Sequence, residues 1–481
     1  MFLTKYLLPY ILPIAFIIIG FSFLINEDLY WLTLFPVGLM LMYFAVFDTA
    51  KIFFSIAFFT PLSINIEEFS ESFGLFIPSE PLLFGLMVFL SALELHKPFL
   101  DRSCLKHPIM IAVYFYLFWM FFTSLTSSSI LVSLKYFIAR LWIIIPVLFF
   151  GTYFLVDIKK RKLFLWMFTI ATSIVVIYTL LHHAKYQFEE KPGHWVMSPF
   201  FKDHTIYGAI IALAVPFAFG LYFLERGNTL YRLFLILIIL ILTTGLVFSY
   251  TRAAWLSVFA AAVFCSLVYF RVKLYVIGTV LIASLVILMV SWNSIQIELE
   301  RNKQEHTTEN INERLRSASN ITTDASNLER INRWDCAISM FKERPLVGFG
   351  PGTYMFEYAR FQDPNNLTII STNFGNLGSA HSEYLGALSE MGLPGALIFL
   401  SLVLSIFVVN IQLIYKWPIE DKDNRVLLMT FLFSLTTYFT HAFLNNYLDT
   451  DKAAVPIWGI TAMLIVMSVQ LKNRLPASKP K

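Results

Sequence analysis

The stretch Ser379-Ala-His-Ser-Glu-Tyr-Leu-Gly-Ala-Leu-Ser-Glu-Met-Gly-Leu-Pro-Gly395 closes a long polar segment, roughly 293–380, and opens an apolar run over 393–415 that carries no charged residue. A bilayer-spanning helix needs roughly 20 apolar residues, so this stretch stands where water meets membrane. It places one titratable base, His381, on what reads as the first turn of a helix. Glu390, Gly392 and Gly395 follow at fixed offsets, with Pro394 just before the apolar run begins in earnest.

The same pattern recurs along the chain. Its 481 residues are 57% hydrophobic and 14% charged, with a mean hydropathy of +0.68. Soluble domains are nearer half apolar and a quarter charged. The excess falls in blocks near 7–25, 29–47, 52–63, 80–95, 108–124, 133–155, 163–181, 206–224, 231–249, 252–270, 274–292, 393–415, 427–444 and 454–471. These predict an all-α, polytopic helical membrane protein of about 12–14 transmembrane helices with one large, partly helical loop. The first block lacks a small-residue cleavage site and is followed at once by a second, so it reads as a retained helix. Four regions result: N-terminal helices over 1–205, a helical core over 206–292, the large loop over 293–380 and C-terminal helices over 381–481.

Charge sets the orientation. Lys97, Arg102 and Lys106, then Lys159 to Lys162, Arg226 with Arg232, Arg271 with Lys273, and Lys472 with Arg474 fall on one side if the spans alternate. Loops on the other side (Asn26 to Asp28, Glu67 to Glu71, Thr123 to Ser129) are acidic or neutral. Basic loops remain cytoplasmic, which puts both termini inside and the large loop outside. The net charge of +4 is accounted for by this topology, and no nucleic-acid motif or internal repeat is present. The three cysteines offer neither a metal spacing nor a disulfide. His182, His183, His194 and His204, with Lys185, Lys191 and Lys202, crowd an outward loop at 182–205, but none of the spacings is a ligand pair. Neither a metal nor a cofactor is expected.

In the large loop, Glu298 to Arg316 is dense in both charge signs and reads as a solvated helix. Ser326 and Glu329 make a capping-box signature. Ile331, Trp334, Ile338 and Phe341 then recur at helical spacing, predicting a face that rests on the membrane domain or on headgroups. Pro345 ends that helix, Gly348, Gly350 and Gly352 read as a flexible turn, and 361–379 as a mobile loop over a site.

Several residues there have the chemistry to bind or act on a substrate. Arg252 lies among hydroxyls (Ser249, Tyr250, Thr251) in a tight outer turn, where a guanidinium either snorkels to the interface or holds phosphate in bidentate fashion. Arg330 and Arg333 lie on the amphipathic helix, as a solvated face or as headgroup-level phosphate ligands. Arg140 is an ionisable residue in mid-span, a functional candidate or half of a structural ion pair. His441 and Asp449 are weaker cases of the same kind. His381 is either a capping histidine or a base, and nearby arginines and a helix N-terminus would keep its imidazole neutral.

Thr251-Arg252-Ala253, Arg330 followed by Trp334 four residues on, Pro345-Leu346 leading to Gly348 and Gly350, His381-Ser382 with Leu385, and Glu390, Gly392 and Gly395 occur in an order that resembles the O-antigen ligase and O-antigen polymerase superfamily of bacterial inner-membrane glycosyltransferases. The match covers roughly 200–400. The resemblance implies a multi-pass enzyme of the bacterial inner membrane with its site at the periplasmic face. It implies transfer of a glycan from undecaprenyl diphosphate to an acceptor hydroxyl without a metal and with inversion. The favoured acceptor is a lipid A–core sugar, as in lipopolysaccharide biosynthesis. Another lipid-linked repeat unit (a polymerase) or a protein Ser or Thr (an O-oligosaccharyltransferase) are alternatives. Carried over by position, His381 matches the general base, and Arg252 and Arg330 match the arginines that hold the diphosphate. Arg140, Arg333 and Glu390 are secondary candidates.

A rival from another class is a flippase for lipid-linked oligosaccharides. Transporters show paired half-repeats and charged residues at the midplane, whereas here the charged candidates gather at one face.

Overall fold

A computed structural model describes residues 47–66, 74–273, 325–362 and 378–474, with positions 40, 43, 44, 275, 276, 278 and 279. The expected span 7–25, most of 29–47 and of 274–292, the charged helix 298–316 and most of the loop 361–379 lie outside the described residues.

The described chain is helical, apart from a two-residue antiparallel ladder that pairs Ile64 with Ile77 and Asn65 with Phe76. Eleven of its helices fall on expected spans: α1 (Thr49–Leu62), α2 (Ser79–His96), α3 (Pro108–Leu125), α4 (Ile130–Phe154), α5 (Ile158–Ala184), α6 (His204–Leu224), α7 (Thr229–Val247), α8 (Arg252–Tyr269), α10 (Glu383–Lys416), α11 (Lys422–His441) and α12 (Asp451–Arg474). The twelfth, α9 (Ala325–Glu343), belongs to the large loop. Nine are long and apolar enough to cross a membrane, counting described residues only. The protein is therefore an all-α polytopic membrane protein.

Helices α6 and α12 are buried over most of their length, while α2, α7 and α8 line the periphery. Around this centre α6 packs on α5, α7 and α11, α8 on α11, and α3 on α10. The central helices approach closely because α6 is rich in small residues, the usual device where apolar lipid gives helices no hydrophobic reason to associate. A Cβ at Gly220 would run into the Thr430 side chain of α11.

Polar knots pin the two ends. At one end the buried Lys452 ammonium donates to the carbonyls of Thr60 (3.1 Å) and Ser63 (2.8 Å), while Asp451 accepts from the hydroxyls of Ser63 (3.0 Å) and Ser79. At the other end Arg161 is buried rather than free among the loop charges. It donates to Leu155 O (2.9 Å), Asn424 Oδ1 (3.1 Å) and Gln470 Oε1 (2.7 Å), tying α4, α5, α11 and α12. Buried charges persist only when satisfied in this way. Within α4, residues Ile145–Phe149 form a π-helical turn around Pro146, which has no N–H to donate.

The segment 345–352 is docked, not flexible. Helix α10 breaks at Gly392 (φ 68°, ψ −174°). The glycine turn fits into the break: Leu393 N donates to Pro345 O (2.9 Å), Phe349 N to Ser389 O (3.1 Å) and Gly350 N to Glu390 O (2.8 Å).

Candidate active site

Helix α9 lies against α10, and the residues most deeply buried there are not the ones its apolar spacing marks. Ile338 is exposed, and the buried side carries Asn332, Arg333, Cys336, Ala337 and Met340. The last three pack with Phe349, Tyr354, Tyr358 and Ala380 into a small core of their own. Burial of Arg333 is sustained by Glu329 four residues earlier, whose Oε1 accepts from Arg333 Nε at 2.7 Å. Arg333 also sits over the Tyr358 ring (4.7 Å) and donates to Ser379 O (3.3 Å). It is therefore a buried brace for the chain entering His381, not part of a solvated face.

His381 is not in the first turn of α10. Ser382 caps the helix, its Oγ accepting from Leu385 N at 3.4 Å, and the helix begins at Glu383. His381 precedes the cap in the left-handed region (φ 47°). This turns its ring back into the protein. Its Nδ1 donates to Asn445 Oδ1 (3.4 Å), leaving Nε2 with its lone pair, and its carbonyl accepts from Trp334 Nε1 (3.3 Å). Burial first, and then the Arg333 and Arg330 guanidinium groups, push the imidazole down to about 4, so the ring is neutral at physiological pH.

Arg330 lies one turn before Trp334 and within electrostatic reach of His381, His204, His441 and Tyr447. Arg252 is the first residue of α8, and the Oγ1 of its neighbour Thr251 donates to His204 O (2.7 Å). The structure thus gathers His381, Arg330 and Arg333 in one place. It sets Arg252 at the same end of the bundle, joined to that place through His204.

Residues 235–400 match the family model described as O-antigen ligase. The chain carries an O-antigen ligase domain. No curated protein matches the chain. The domain runs from within α7 to the middle of α10 and contains Arg252, Arg330, Arg333, His381 and Glu390, whereas Arg140, His441, Asn445 and Asp449 lie outside it. At this level the chain is a membrane glycosyltransferase of the O-antigen ligase and polymerase type, a class that acts on lipid-linked glycans.

The secondary candidates Glu390 and Arg140 make structural contacts, the first inside the O-antigen ligase domain and the second outside it. Glu390 Oε1 accepts from Tyr354 N (3.0 Å), and the carboxylate also takes the Gly352 N–H, so it fastens the docked glycine turn. Arg140 donates to Leu448 O and Tyr136 Oη and lies over the Tyr136 ring at 4.8 Å. Asp449 is its nearby carboxylate, held above the usual carboxylate range by burial against the pull of Arg140. The loop histidines serve local packing. His182 Nδ1 donates to Val196 O (3.0 Å), His183 Nε2 to Glu189 O (2.6 Å), and the rings of His194 and His204 stack at 4.2 Å. Among the described residues no three His, Cys, Asp or Glu side chains group as a metal site.

Sequence reasoning missed Glu383 and Asn445. A single oxygen of Glu383 accepts from Tyr438 Oη (2.8 Å), Tyr447 N (2.9 Å) and Leu448 N (2.7 Å). This holds the turn between α11 and α12 against the start of α10, which brings Asn445 to His381. The available signal was a carboxylate two residues after the histidine, at the mouth of an apolar helix. Glu383→Ala would leave three buried donors without an acceptor, at roughly 1–3 kcal/mol each. Its thermal midpoint in detergent should drop well below wild type, with Glu383→Gln intermediate. Equal midpoints for the two variants would mean the carboxylate does not hold the turn.

Proposed function

We propose that this protein transfers a glycan from undecaprenyl diphosphate to an acceptor hydroxyl, with a lipid A–core sugar as the favoured acceptor. His381 is the general base, and Arg252 and Arg330 hold the diphosphate. The supporting observation is the setting of His381: a neutral imidazole, fixed through Nδ1, with guanidinium groups beside it. The acceptor hydroxyl loses its proton to Nε2 as its oxygen bonds to the anomeric carbon. The opposite anomeric C–O bond breaks with its electron pair passing to the departing diphosphate, which gives inversion. Fixed guanidinium groups stabilise that developing charge without reorganisation. The basic loops support a bacterial inner-membrane placement with both termini cytoplasmic and the site at the periplasmic face.

A base as weak as the free His381 gains strength from the donor itself. The diphosphate brings negative charge to the same arginines that disfavour imidazolium, so the pKa rises when the donor binds. The acid limb of kcat/KM, which reports the free enzyme, should lie near 4, and that of kcat should lie higher. Asn445→Asp sets an anion against Nδ1 and should move the kcat/KM limb upward. An unshifted limb in that variant would remove Asn445 from contact with the base.

The test is transfer between two purified lipid-linked substrates in detergent. Arg330→Ala and Arg252→Ala are expected to lower kcat/KM by 10-fold or more, each leaving a phosphate oxygen without its charged donor, at roughly 1.5–3 kcal/mol for a charge-assisted bond. Full activity in both variants would overturn the diphosphate assignment, and absence of transfer by the wild type would favour a flippase. In a deletion strain, loss of all long lipopolysaccharide chains marks a ligase, and a core bearing one repeat unit marks a polymerase.

A further inference from the structure

A cavity of about 550 Å³ opens between α6, α8, α10 and α11, far from His381. Val215, Phe219, Val258, Cys265 and Phe433 give it apolar walls, and Arg271 and Arg425 stand at its mouth. Both arginines follow or open helices at the basic end of the bundle, opposite the end that carries His381. Along α8 the wall runs from Val258 to Tyr269, a rise of about 16 Å at ~1.5 Å per residue. That is close to one leaflet, half of a hydrocarbon core of ~30 Å. Phe219, Phe223 and Tyr269, which line the cavity, are themselves exposed, so its wall is open to the surrounding lipid.

The mouth selects the occupant. No salt bridge among the described residues joins Arg271 or Arg425; Arg271 instead lies 5.9 Å from the Tyr415 ring, which shares the lining. The apolar run 274–292, which follows Arg271 in the chain, contains no acidic residue that could meet these charges. An apolar slot one leaflet deep with a doubly basic mouth fits a phosphate headgroup carrying net negative charge, with acyl chains below it.

We propose that this cavity is a binding site for an anionic glycerophospholipid of the leaflet opposite the candidate active site, with its headgroup phosphate at Arg271 and Arg425. The site is independent of the glycan chemistry. The full chain, purified in mild detergent and stripped of lipid, is loaded with equal phosphatidylglycerol and phosphatidylethanolamine and read by native mass spectrometry. Phosphatidylglycerol should be retained over phosphatidylethanolamine by about tenfold or more, as two basic contacts imply. The double variant Arg271→Gln/Arg425→Gln should lose that preference, and Val258→Trp, which fills the slot, should lower retention of both lipids. Equal retention of the two lipids by the wild type overturns the proposal, as does a wild type that holds no lipid because its own chain fills the cavity. So does an unchanged preference in the double variant, or undiminished retention in Val258→Trp. The wild-type comparison decides the matter even if a variant fails to fold.

Discussion

His381→Asn is expected to retain the fold and to lose roughly 10²–10⁴-fold in the rate of glycan transfer, the usual contribution of a positioned base. Asparagine is the informative replacement because of the backbone. His381 sits at φ 47°, where most residues with a Cβ cost about 1–2 kcal/mol and asparagine is among the few tolerated. His381→Ala would confound loss of the base with strain in the turn that leads into α10. In the asparagine variant the carbonyl at 381 still accepts from Trp334, and Ser382 still caps the helix. A thermal midpoint near wild type together with a collapsed rate therefore isolates the imidazole. If more than a tenth of the wild-type rate survives, another group takes the proton.

The membrane architecture was legible because each apolar block settles its own fate: a run such as 393–415 has no soluble alternative. Other features depend on partners distant in the chain, and no local pattern encodes those. Arg140 meets Leu448, and His381 meets Asn445, only because the turn between α11 and α12 folds under the start of α10. Helix α9 shows the limit most plainly. Its apolar spacing marked Ile331, Trp334, Ile338 and Phe341, yet the buried face is built around a charged residue. The clue was present as Glu329 and Arg333 at i and i+4, a spacing that reads equally as an exposed pair on a surface helix. Whether that pair is buried depends on the tyrosines of 354–358 and on the kink of α10, which bring the docked turn up against it.

That kink carries the second large effect. Gly392 adopts φ 68°, and a Cβ there would strike the backbone carbonyl of Leu346, which cannot swing aside as a side chain could. Gly392→Ala therefore combines left-handed strain of about 1–2 kcal/mol with an overpacking cost of roughly 1–3 kcal/mol. The damage is not confined to the kink. The bonds from Leu393 N to Pro345 O and from Gly350 N to Glu390 O hold the docked turn, and that turn carries Phe349 and Tyr354 under α9. Loosening it frees the helix that presents Arg330 and Arg333, so transfer activity should fall along with stability. Gly386→Ala supplies the contrast in the same helix: its Cβ would meet only Ala380 Cβ, at 3.9 Å. There, replacing a helical glycine should be neutral or stabilising by about 0.5–1 kcal/mol. In one detergent the thermal midpoint of Gly392→Ala should fall well below wild type, and that of Gly386→Ala should lie at or above it. A Gly392→Ala protein that melts with the wild type would mean that the break in α10 does not hold the turn in place.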